Sequence, residues 1–470
     1  MPLMTGDEYV RSLQKIKMRI FLFGEEIDNP VGNPILQPAV NSVKATYDLA
    51  QNPEYADLMT ATSNLTGEKI NRFTHIHQSP DDLVKKVKMQ RLLGQKTAAC
   101  FQRCVGMDSF NSVYSTTYEV DKKYGTHYHD NFVKFATYVQ QNDLTVDGAM
   151  TDTKGDRSLS PSKQADPDLF LHVVERRPDG IVVRGAKAHQ TGILNSHEVI
   201  VMPTIAMGPD DKDYAVSFAV PLDTEGLMMI VGRQSCDTRK TEGCHLDLGN
   251  STYGGMEALT VFDNVFVPND RIFLNGETEF AGMLVERFAG YHRQSYGGCK
   301  VGVGDVLIGA TALASEYNGV EKASHIKDKL IEMVHLNETL YCCGIACSAE
   351  GQPTESGNYL IDQLAVSFAF QVSHDCFHDL ALISGCKNIC KFLLDISLDL
   401  RFIHLLRSIF CNNVISCLIL FFQVCTVCRA GVDLLFGCFQ LFQDHSVYQI
   451  SFDIITASLI NGNFFYCCDQ

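Results

Sequence analysis

The chain has 470 residues, a net charge of −16 and a hydrophobic fraction of 46%. Its length allows a large core divided over two or three domains, and its acidity argues against general affinity for nucleic acid or an anionic membrane. The first residues mix acids and bases without an apolar run, so they do not resemble a signal peptide. We therefore expect a cytoplasmic protein whose 18 cysteines stay reduced and act as ligands or core residues.

Residues 1–150 are predicted to form an N-terminal helical domain, because acidic openings are followed by apolar residues at helical spacing. The longest helix is expected to begin at Ser79 and Pro80, a pair that caps a first turn well. Cys100 and Cys104 fall inside this predicted helix, where a spacing of four places both thiols on one face. Core packing is the commoner role of two such cysteines.

Residues 151–277 are predicted to form a central β domain. A polar loop with Gly, Pro and small residues opens it, and runs rich in β-branched and aromatic residues follow. The segment RPDG, which ends at Gly180, has the residues of a tight turn between two strands.

Residues 278–364 are predicted to begin a C-terminal helical domain in the order helix, glycine break, helix. The break is placed at Gly297 and Gly298, because two glycines allow a sharp turn or a close approach of the backbone. The order α–β–α suggests a cofactor held between the β domain and the helices.

The chemically informative residues of this last segment lie close together in the sequence. Three thiols and one imidazole, counted with the two earlier cysteines, make a complete ligand set that suits zinc or an iron–sulfur cluster. Separate buried cysteines are the third interpretation. The residues within this segment are His292, Tyr296, Cys299 and Lys300.

Residues 365–470 differ in composition from the chain before them. They contain no Glu and no Pro, and 14 of the 28 Phe. Residues 408–428 form an uncharged run of 21 residues, long enough for a transmembrane helix, although two Asn and several Cys weigh against one. Because helical period, caps and turn signals are missing, we interpret this segment as anomalous, the product of a frameshift, a gene-model error or a fusion.

Several long motifs, in order along the chain, resemble the 4-hydroxybutyryl-CoA dehydratase family, whose members are also described as vinylacetyl-CoA isomerases. The resemblance covers about residues 4–364. It implies the acyl-CoA-dehydrogenase-like fold of the flavin-dependent 4-hydroxyphenylacetate hydroxylases, an α+β architecture with a central β domain between helical domains, and a homotetramer. The motifs are KMQRLLGQKTAACFQRCVGMD, VDGAMTDTKGDRS, VVRGAKAHQTG, VGRQSCDTRK, FDNVFVPNDRIFL and RFAGYHRQSYGGCKVGVGD.

This resemblance implies a lyase with isomerase activity that uses FAD and one 4Fe-4S cluster. The reaction would remove water from a CoA thioester, 4-hydroxybutyryl-CoA, to give crotonyl-CoA. Because the hydrogen at C3 is not acidic, electron exchange with the flavin would be needed before it can be removed, and the cofactors would carry this chemistry. The alternatives are a flavin-dependent aromatic hydroxylase of the related family and an inactive chain with a foreign C-terminal segment.

The resemblance also implies site residues, position by position. The implied cluster ligands are Cys100, Cys104, His292 and Cys299. The implied flavin-binding residues are Met150, Thr151, Asp152, Thr153, Lys154, Gly155, Asp156, Arg157, His189, Gln190 and Thr191. The implied residues around the substrate are Gln102, Thr191, Glu257, Tyr296 and Lys300. The family's C-terminal helical region, with one acidic active-site residue, has no match in residues 365–470.

Each implied catalytic residue has an expected role. His292 would leave one iron open to the substrate hydroxyl and then serve as a base. Tyr296 would donate a proton or hydrogen bond to the departing oxygen, and Glu257 would anchor the substrate or take a proton. Thr191 would hydrogen-bond the flavin near N5, and Lys300 would stabilise negative charge on the flavin or the substrate.

Overall fold

The computed structural model describes residues 3–153, 155–232, 243, 250–363 and 367. All of them lie in one unit, Met1–Cys386. Lys154 and the predicted foreign segment, except for Ser367, lie outside the described residues.

Helices dominate the N-terminal part of the chain. The predicted start of the long helix is confirmed, because the Ser79 hydroxyl accepts a hydrogen bond from the Asp82 amide and a proline occupies the first turn. These helices are α1 (Gly6–Leu13), α2 (Gln37–Gln51), α3 (Ala56–Met59), α4 (Pro80–Thr97), α5 (Cys104–Tyr124) and α6 (Tyr128–Gln141).

The prediction that one helix runs through both cysteines is wrong. Helix α4 stops at Ala98, which has a left-handed φ of +48°, and a residue in this conformation commonly ends a helix. Gln102 is also left-handed, with a φ of +62°. Cys100 therefore lies in a loop, whereas Cys104 is the first residue of α5.

The strands come from distant parts of the sequence, and four of them, β1 to β4, lie between the N-terminal helices. The predicted hairpin at RPDG is confirmed, since Arg177 pairs with Gly180 across two antiparallel strands, β6 and β7. The strands are β1 (Ile20–Leu22), β2 (Glu25–Ile27), β3 (Thr60–Thr62), β4 (Lys69–Asn71), β5 (Val146–Ala149), β6 (His172–Arg177), β7 (Gly180–Thr191), β8 (Glu198–Val201), β9 (Val216–Pro221), β10 (Leu227–Val231), β11 (Glu257–Pro268), β12 (Ile272–Asn275), β13 (Gln352–Pro353) and β14 (Tyr359–Leu360).

Within the described residues, these strands form a six-stranded sheet, β2-β1-β10-β11-β7-β6, a four-stranded sheet, β12-β9-β8-β5, and two two-stranded sheets, β3-β4 and β13-β14. Buried side chains of both sheets share one core, in which the rings of Phe218 and Phe262 lie 6.0 Å apart. Strand β1 comes from the region predicted to be helical and pairs in parallel with β10, where Ile20 lies opposite Met229.

The last described helices are α7 (Thr278–Tyr317) and α8 (Ser324–Ala349). The predicted glycine break is wrong, because α7 continues through 40 residues. A Cβ atom on Gly297 would lie 2.6 Å from Gly344 Cα of α8, and one on Gly298 would lie 2.5 Å from the Val87 carbonyl oxygen of α4. Both glycines therefore serve close helix packing instead of a turn.

By length and composition alone, α7 is also a helix that could cross a membrane, the one such helix among the described residues. It packs against α4, α5 and α8. A core helix of a protein without any membrane segment passes the same test, but 33% of the apolar window of α7 is buried.

Candidate functional site

One face of α7, the loop before α5 and the end of β7 enclose a cavity of about 450 Å³. Helix α7 supplies a stripe of side chains, because residues three, four and seven positions apart share a helical face. Cysteines, flavin-loop residues and substrate residues predicted from the sequence meet here. The cavity is lined by Ala99, Cys100, Cys104, Val105, Gly148, Met150, Thr151, His189, Gln190, Thr191, Phe288, His292, Tyr296, Cys299, Lys300 and Val303.

The predicted cysteine ligands contribute thiols to this wall. Cys104 is buried and Cys299 is half-buried, whereas Cys100 is exposed to the cavity. Burial raises the pKa of the Cys104 thiol and raises the pKa of Cys299 to about 12. Such thiols are poor nucleophiles, but a bound metal deprotonates a coordinating thiol outright. The donor set therefore fits a metal group held by several cysteines.

The four predicted ligand residues come from the loop before α5, from the start of α5 and from α7. Among the described residues, no group of three or more His, Cys, Asp or Glu side chains has the arrangement that a single metal ion requires. A zinc ion needs four ligand atoms within 2.0–2.3 Å of its centre, by the usual bond lengths. In a polynuclear cluster each ligand binds a different iron, so the ligands stand further apart.

His292 is held in one orientation by the side chains around it. Its Nδ1 lies 3.1 Å from Asp108 Oδ2. Because a carboxylate only accepts hydrogen bonds, Nδ1–H is the donor. The ring stacks on Phe288, with centroids 5.6 Å apart, and meets the Tyr296 ring edge-on at 5.3 Å.

Tyr296 and Lys300 form the next turn of the stripe. Lys300 Nζ lies 4.0 Å from the centre of the Tyr296 ring, a distance at which the ring attracts the cation. Burial lowers the pKa of Lys300 and raises the pKa of Tyr296. The pair therefore places an amino group and a protonated phenol beside the cysteines, where both can donate to a substrate oxygen.

The opposite wall is built from β7 and the chain that follows β5. The Met150 carbonyl accepts hydrogen bonds from Lys187 Nζ at 2.9 Å and from Thr204 Oγ1 at 2.6 Å. The Thr151 carbonyl accepts from the Ala188 amide at 2.8 Å. These contacts fix the start of the predicted flavin loop against β7, whose residues His189, Gln190 and Thr191 also line the cavity.

The rest of the predicted flavin loop leaves the cavity wall. Asp152 forms an ion pair of 2.8 Å with Lys187, and both side chains are almost fully buried. The Thr153 hydroxyl donates to the Leu169 carbonyl. These contacts brace the loop. Lys154 lies outside the described residues, and the loop residues that do not line the cavity are Asp152, Thr153, Gly155, Asp156 and Arg157.

Gln102 and Glu257 lie beside the cavity without lining it. Gln102 Nε2 donates to the carbonyls of Ala39 at 3.1 Å and Gly254 at 3.0 Å, so its side chain fixes the loop that carries the first cysteine. Glu257 lies opposite Thr191 in the β7–β11 register and accepts a hydrogen bond of 3.2 Å from its hydroxyl. Their roles at the substrate remain predictions.

Sequence reasoning missed the buried groups that support the site, namely Asp108, Lys86 and Phe288. Asp108 stands one helical turn after Cys104 on α5, and Lys86 lies in α4. Phe288 stands one turn before His292, and this spacing was the one signal available for it. The two charged residues looked like ordinary surface charges, because nothing local marks a charged side chain as buried.

Comparison with known proteins adds evidence independent of this geometry. The family described as 4-hydroxyphenylacetate 3-hydroxylase N terminal matches residues 5–274, and its C-terminal counterpart matches residues 281–384. The match thus extends 20 residues beyond the predicted limit of the resemblance at residue 364. The chain is also 70% identical over 370 residues to 4-hydroxybutyryl-CoA dehydratase/vinylacetyl-CoA-Δ-isomerase of Clostridium aminobutyricum, which covers 78% of this chain and 76% of that protein.

Several solved structures are also similar to this chain. An oxygen-tolerant archaeal 4-hydroxybutyryl-CoA dehydratase from N. maritimus matches with 51% identity and a TM-score of 0.79, over 82% of this chain and 76% of that chain. The oxygenase component of 4-hydroxyphenylacetate 3-monooxygenase complexed with FAD matches with 21% identity and a TM-score of 0.68, over 82% of this chain and 80% of that chain. A glutaryl-coenzyme A dehydrogenase matches with 12% identity and a TM-score of 0.50, over 82% of this chain and 84% of that chain.

The last two likenesses concern the fold alone and confirm the predicted α+β, acyl-CoA-dehydrogenase-like class. The clostridial protein is 70% identical over 78% of this chain. The chain therefore belongs to the 4-hydroxybutyryl-CoA dehydratase/vinylacetyl-CoA isomerase family, within the larger group of 4-hydroxyphenylacetate 3-hydroxylases.

Proposed function

We propose that this chain dehydrates 4-hydroxybutyryl-CoA to crotonyl-CoA and isomerises vinylacetyl-CoA, with FAD and one 4Fe-4S cluster bound in the cavity. One observation carries the proposal. Three thiols and one imidazole share a single cavity with residues of the predicted flavin loop. The name of the clostridial relative supports the substrate, and the FAD complex of the related oxygenase supports the flavin.

The donor set suits a cluster or zinc, and the family resemblance favours the cluster. Cys100, Cys104, Cys299 and His292 come from a loop, from the start of α5 and from α7, and they line one cavity. These residues would hold the cluster. Because a neutral imidazole is a weaker donor than a thiolate, His292 would leave one iron available as a Lewis acid for the substrate hydroxyl.

The cofactors, when bound, would supply single-electron exchange and a Lewis-acid iron. The protein's own groups would orient the substrate and move protons. Because Nδ1 of His292 donates to a carboxylate, Nε2 is the nitrogen that would bind a metal. The Tyr296 hydroxyl is held protonated by burial and would donate to the departing oxygen. Lys300 Nζ would stabilise negative charge next to it.

Thr191 and Glu257 would act from the flavin side. The Thr191 hydroxyl donates to Glu257 at 3.2 Å, and the threonine side chain lines the cavity while the glutamate stands behind it. Thr191 is therefore placed to contact a flavin directly, whereas Glu257 would orient Thr191 or reach the substrate after a change of rotamer.

We also propose, from the family resemblance, that the protein is a homotetramer in the cytoplasm. Gel filtration with light scattering would test the tetramer.

The experiment that tests the proposed function is cofactor analysis of protein prepared without oxygen. We expect about four irons, by the composition of a 4Fe-4S cluster, with matching sulfide and one flavin per chain. Cys299→Ser should lower the iron content and abolish formation of crotonyl-CoA from 4-hydroxybutyryl-CoA. Cys342→Ser is the matched control, because that thiol is exposed on α8 and lies away from the cavity.

Other outcomes identify the alternatives. Flavin without iron, together with hydroxylation of a phenol when reduced flavin is supplied, would support the related aromatic hydroxylase. One zinc per chain would refute the cluster. Protein that takes up neither flavin nor metal would be the inactive chain with a foreign C-terminal segment.

A further inference from the structure

We infer that Asp108 and Lys86 are positioning residues that hold His292 with Nε2 directed into the cavity. This inference rests on the proposed function, in which His292 is a cluster ligand. It concerns groups that lie behind the cavity wall and touch neither substrate nor cofactor.

The Asp108 carboxylate is fully buried and is surrounded by donors. Its Oδ2 accepts hydrogen bonds from His292 Nδ1 at 3.1 Å and from Ser295 Oγ at 3.2 Å, and its Oδ1 accepts from Lys86 Nζ at 2.6 Å. A carboxylate has no hydrogen to give, so the imidazole nitrogen that faces it must carry one. The carboxylate thereby selects both the ring orientation and the tautomer of His292.

Lys86 is also fully buried, and each of its N–H groups has an acceptor. Besides the carboxylate, Nζ donates to the Tyr291 carbonyl at 2.9 Å and to Gln294 Oε1 at 3.0 Å. An ammonium has three donors, so this set is complete. Since Tyr291 directly precedes His292 on α7, the lysine fixes the backbone at the ligand as well as the carboxylate that orients its ring.

A purely structural role explains this arrangement less well. A buried ion pair contributes little net stability, because removing both charges from water offsets most of their attraction, and apolar side chains of similar size often serve equally well. A carboxylate behind a metal-binding histidine has a specific effect, however. It fixes the ring and makes the free nitrogen a better donor, and its loss typically lowers metal affinity about 10–100-fold.

The test compares three variants. Lys86→Met/Asp108→Leu removes both charges and keeps apolar volume, so the fold is expected to persist. Asp108→Asn retains an acceptor for Nδ1–H but lacks the charge. Asp305→Asn is the control, because Asp305 accepts a 2.8 Å hydrogen bond from Arg91 between the same helices α4 and α7 and does not line the cavity.

The readouts are iron per chain after titration with a chelator, the coupling of a histidine nitrogen to the reduced cluster in pulsed electron paramagnetic resonance, and the melting temperature. We expect the double variant to lose cluster affinity about 10–100-fold and to lose the nitrogen coupling, with flavin retained. Asp108→Asn should lie between it and the wild type. Asp305→Asn should lower only the melting temperature. Wild-type affinity and coupling in the double variant would overturn the inference.

Failure of the proposed function would give a different pattern. If the wild type takes up no iron, the proposed function falls, and the positioning role is decided in metal-free protein by nuclear magnetic resonance of ¹⁵N-labelled histidine. The His292 signal is assigned by its loss in His292→Gln. The positioning role would be supported if His292 carries its hydrogen on Nδ1 in the wild type but is a mixture of the two tautomers in the double variant. An identical tautomer in both proteins would refute it.

Discussion

Gly298→Ala tests whether α7 needs its glycines for packing. In an isolated helix this change should stabilise by about 1 kcal/mol, because alanine is the better helix former. Here the new Cβ would lie 2.5 Å from the Val87 carbonyl oxygen and 2.7 Å from Gln90 Cβ. The carbonyl belongs to the α4 backbone and cannot rotate away, so the helices must separate. Overpacking of this kind costs about 1–3 kcal/mol, and the net effect should be a loss of stability of up to about 2 kcal/mol.

The matched control is Gly309→Ala on the same helix, where a Cβ would meet no atom within 4 Å and the position is exposed. It should stabilise by up to about 1 kcal/mol. Melting temperatures of metal-free protein should therefore move in opposite directions. Gly298→Ala should also lower the iron content after reconstitution, since the next residue along α7 is Cys299. If both variants raise the melting temperature, the packing argument is wrong.

Three further changes address buried groups. Burial raises the pKa of Asp147 from its ordinary value of 3.8 to about 7. The contribution of Asp147 to stability is therefore fully present below pH 3.8 and is lost at roughly 1.4 kcal/mol per pH unit as the pH rises to about 7. The melting temperature of Asp147→Asn should rise increasingly above that of the wild type between pH 5 and pH 8, and a constant difference would contradict this. Lys187→Met should destabilise by about 3–5 kcal/mol, because it leaves the buried Asp152 without its partner, and it should lower flavin content. Tyr296→Phe should keep iron and flavin but lower kcat about 10²–10⁴-fold if the phenol is the proton donor; unchanged turnover would remove that role.

Local signals in the sequence predicted the local parts of this structure. Ser79 and Pro80 marked the start of α4, because a cap needs only the residues of one turn. The RPDG turn placed β6 beside β7 for the same reason. The family resemblance then identified residues that the structure brings together in one cavity from distant parts of the chain.

What the sequence could not give were features decided by tertiary contact. The left-handed conformations at Ala98 and Gln102 occur at residue types with no strong preference for them. The sequence therefore gave no signal for the end of α4, and Cys100 was predicted to be helical. Two consecutive glycines such as Gly297 and Gly298 can either break a helix or allow another helix to pack closely. The positions of the neighbouring helices α4 and α8 show that these two allow close packing. Pairing of β1 with β10 joins segments about 200 residues apart, beyond any local pattern.

The position of the ligand-bearing stripe follows from the backbone around it. A Cβ on Gly94 of α4 would lie 2.7 Å from the carbonyl oxygen of Cys299, and one on Gly298 would reach the α4 backbone from the other side. The segment of α7 that carries the cysteine is therefore set by contacts between main chains, which are stiffer than contacts between side chains. His292, two turns earlier, depends instead on the buried charges behind it. The backbone at Cys299 is thus set by close packing of the helices, whereas the ring of His292 is oriented by hydrogen bonding.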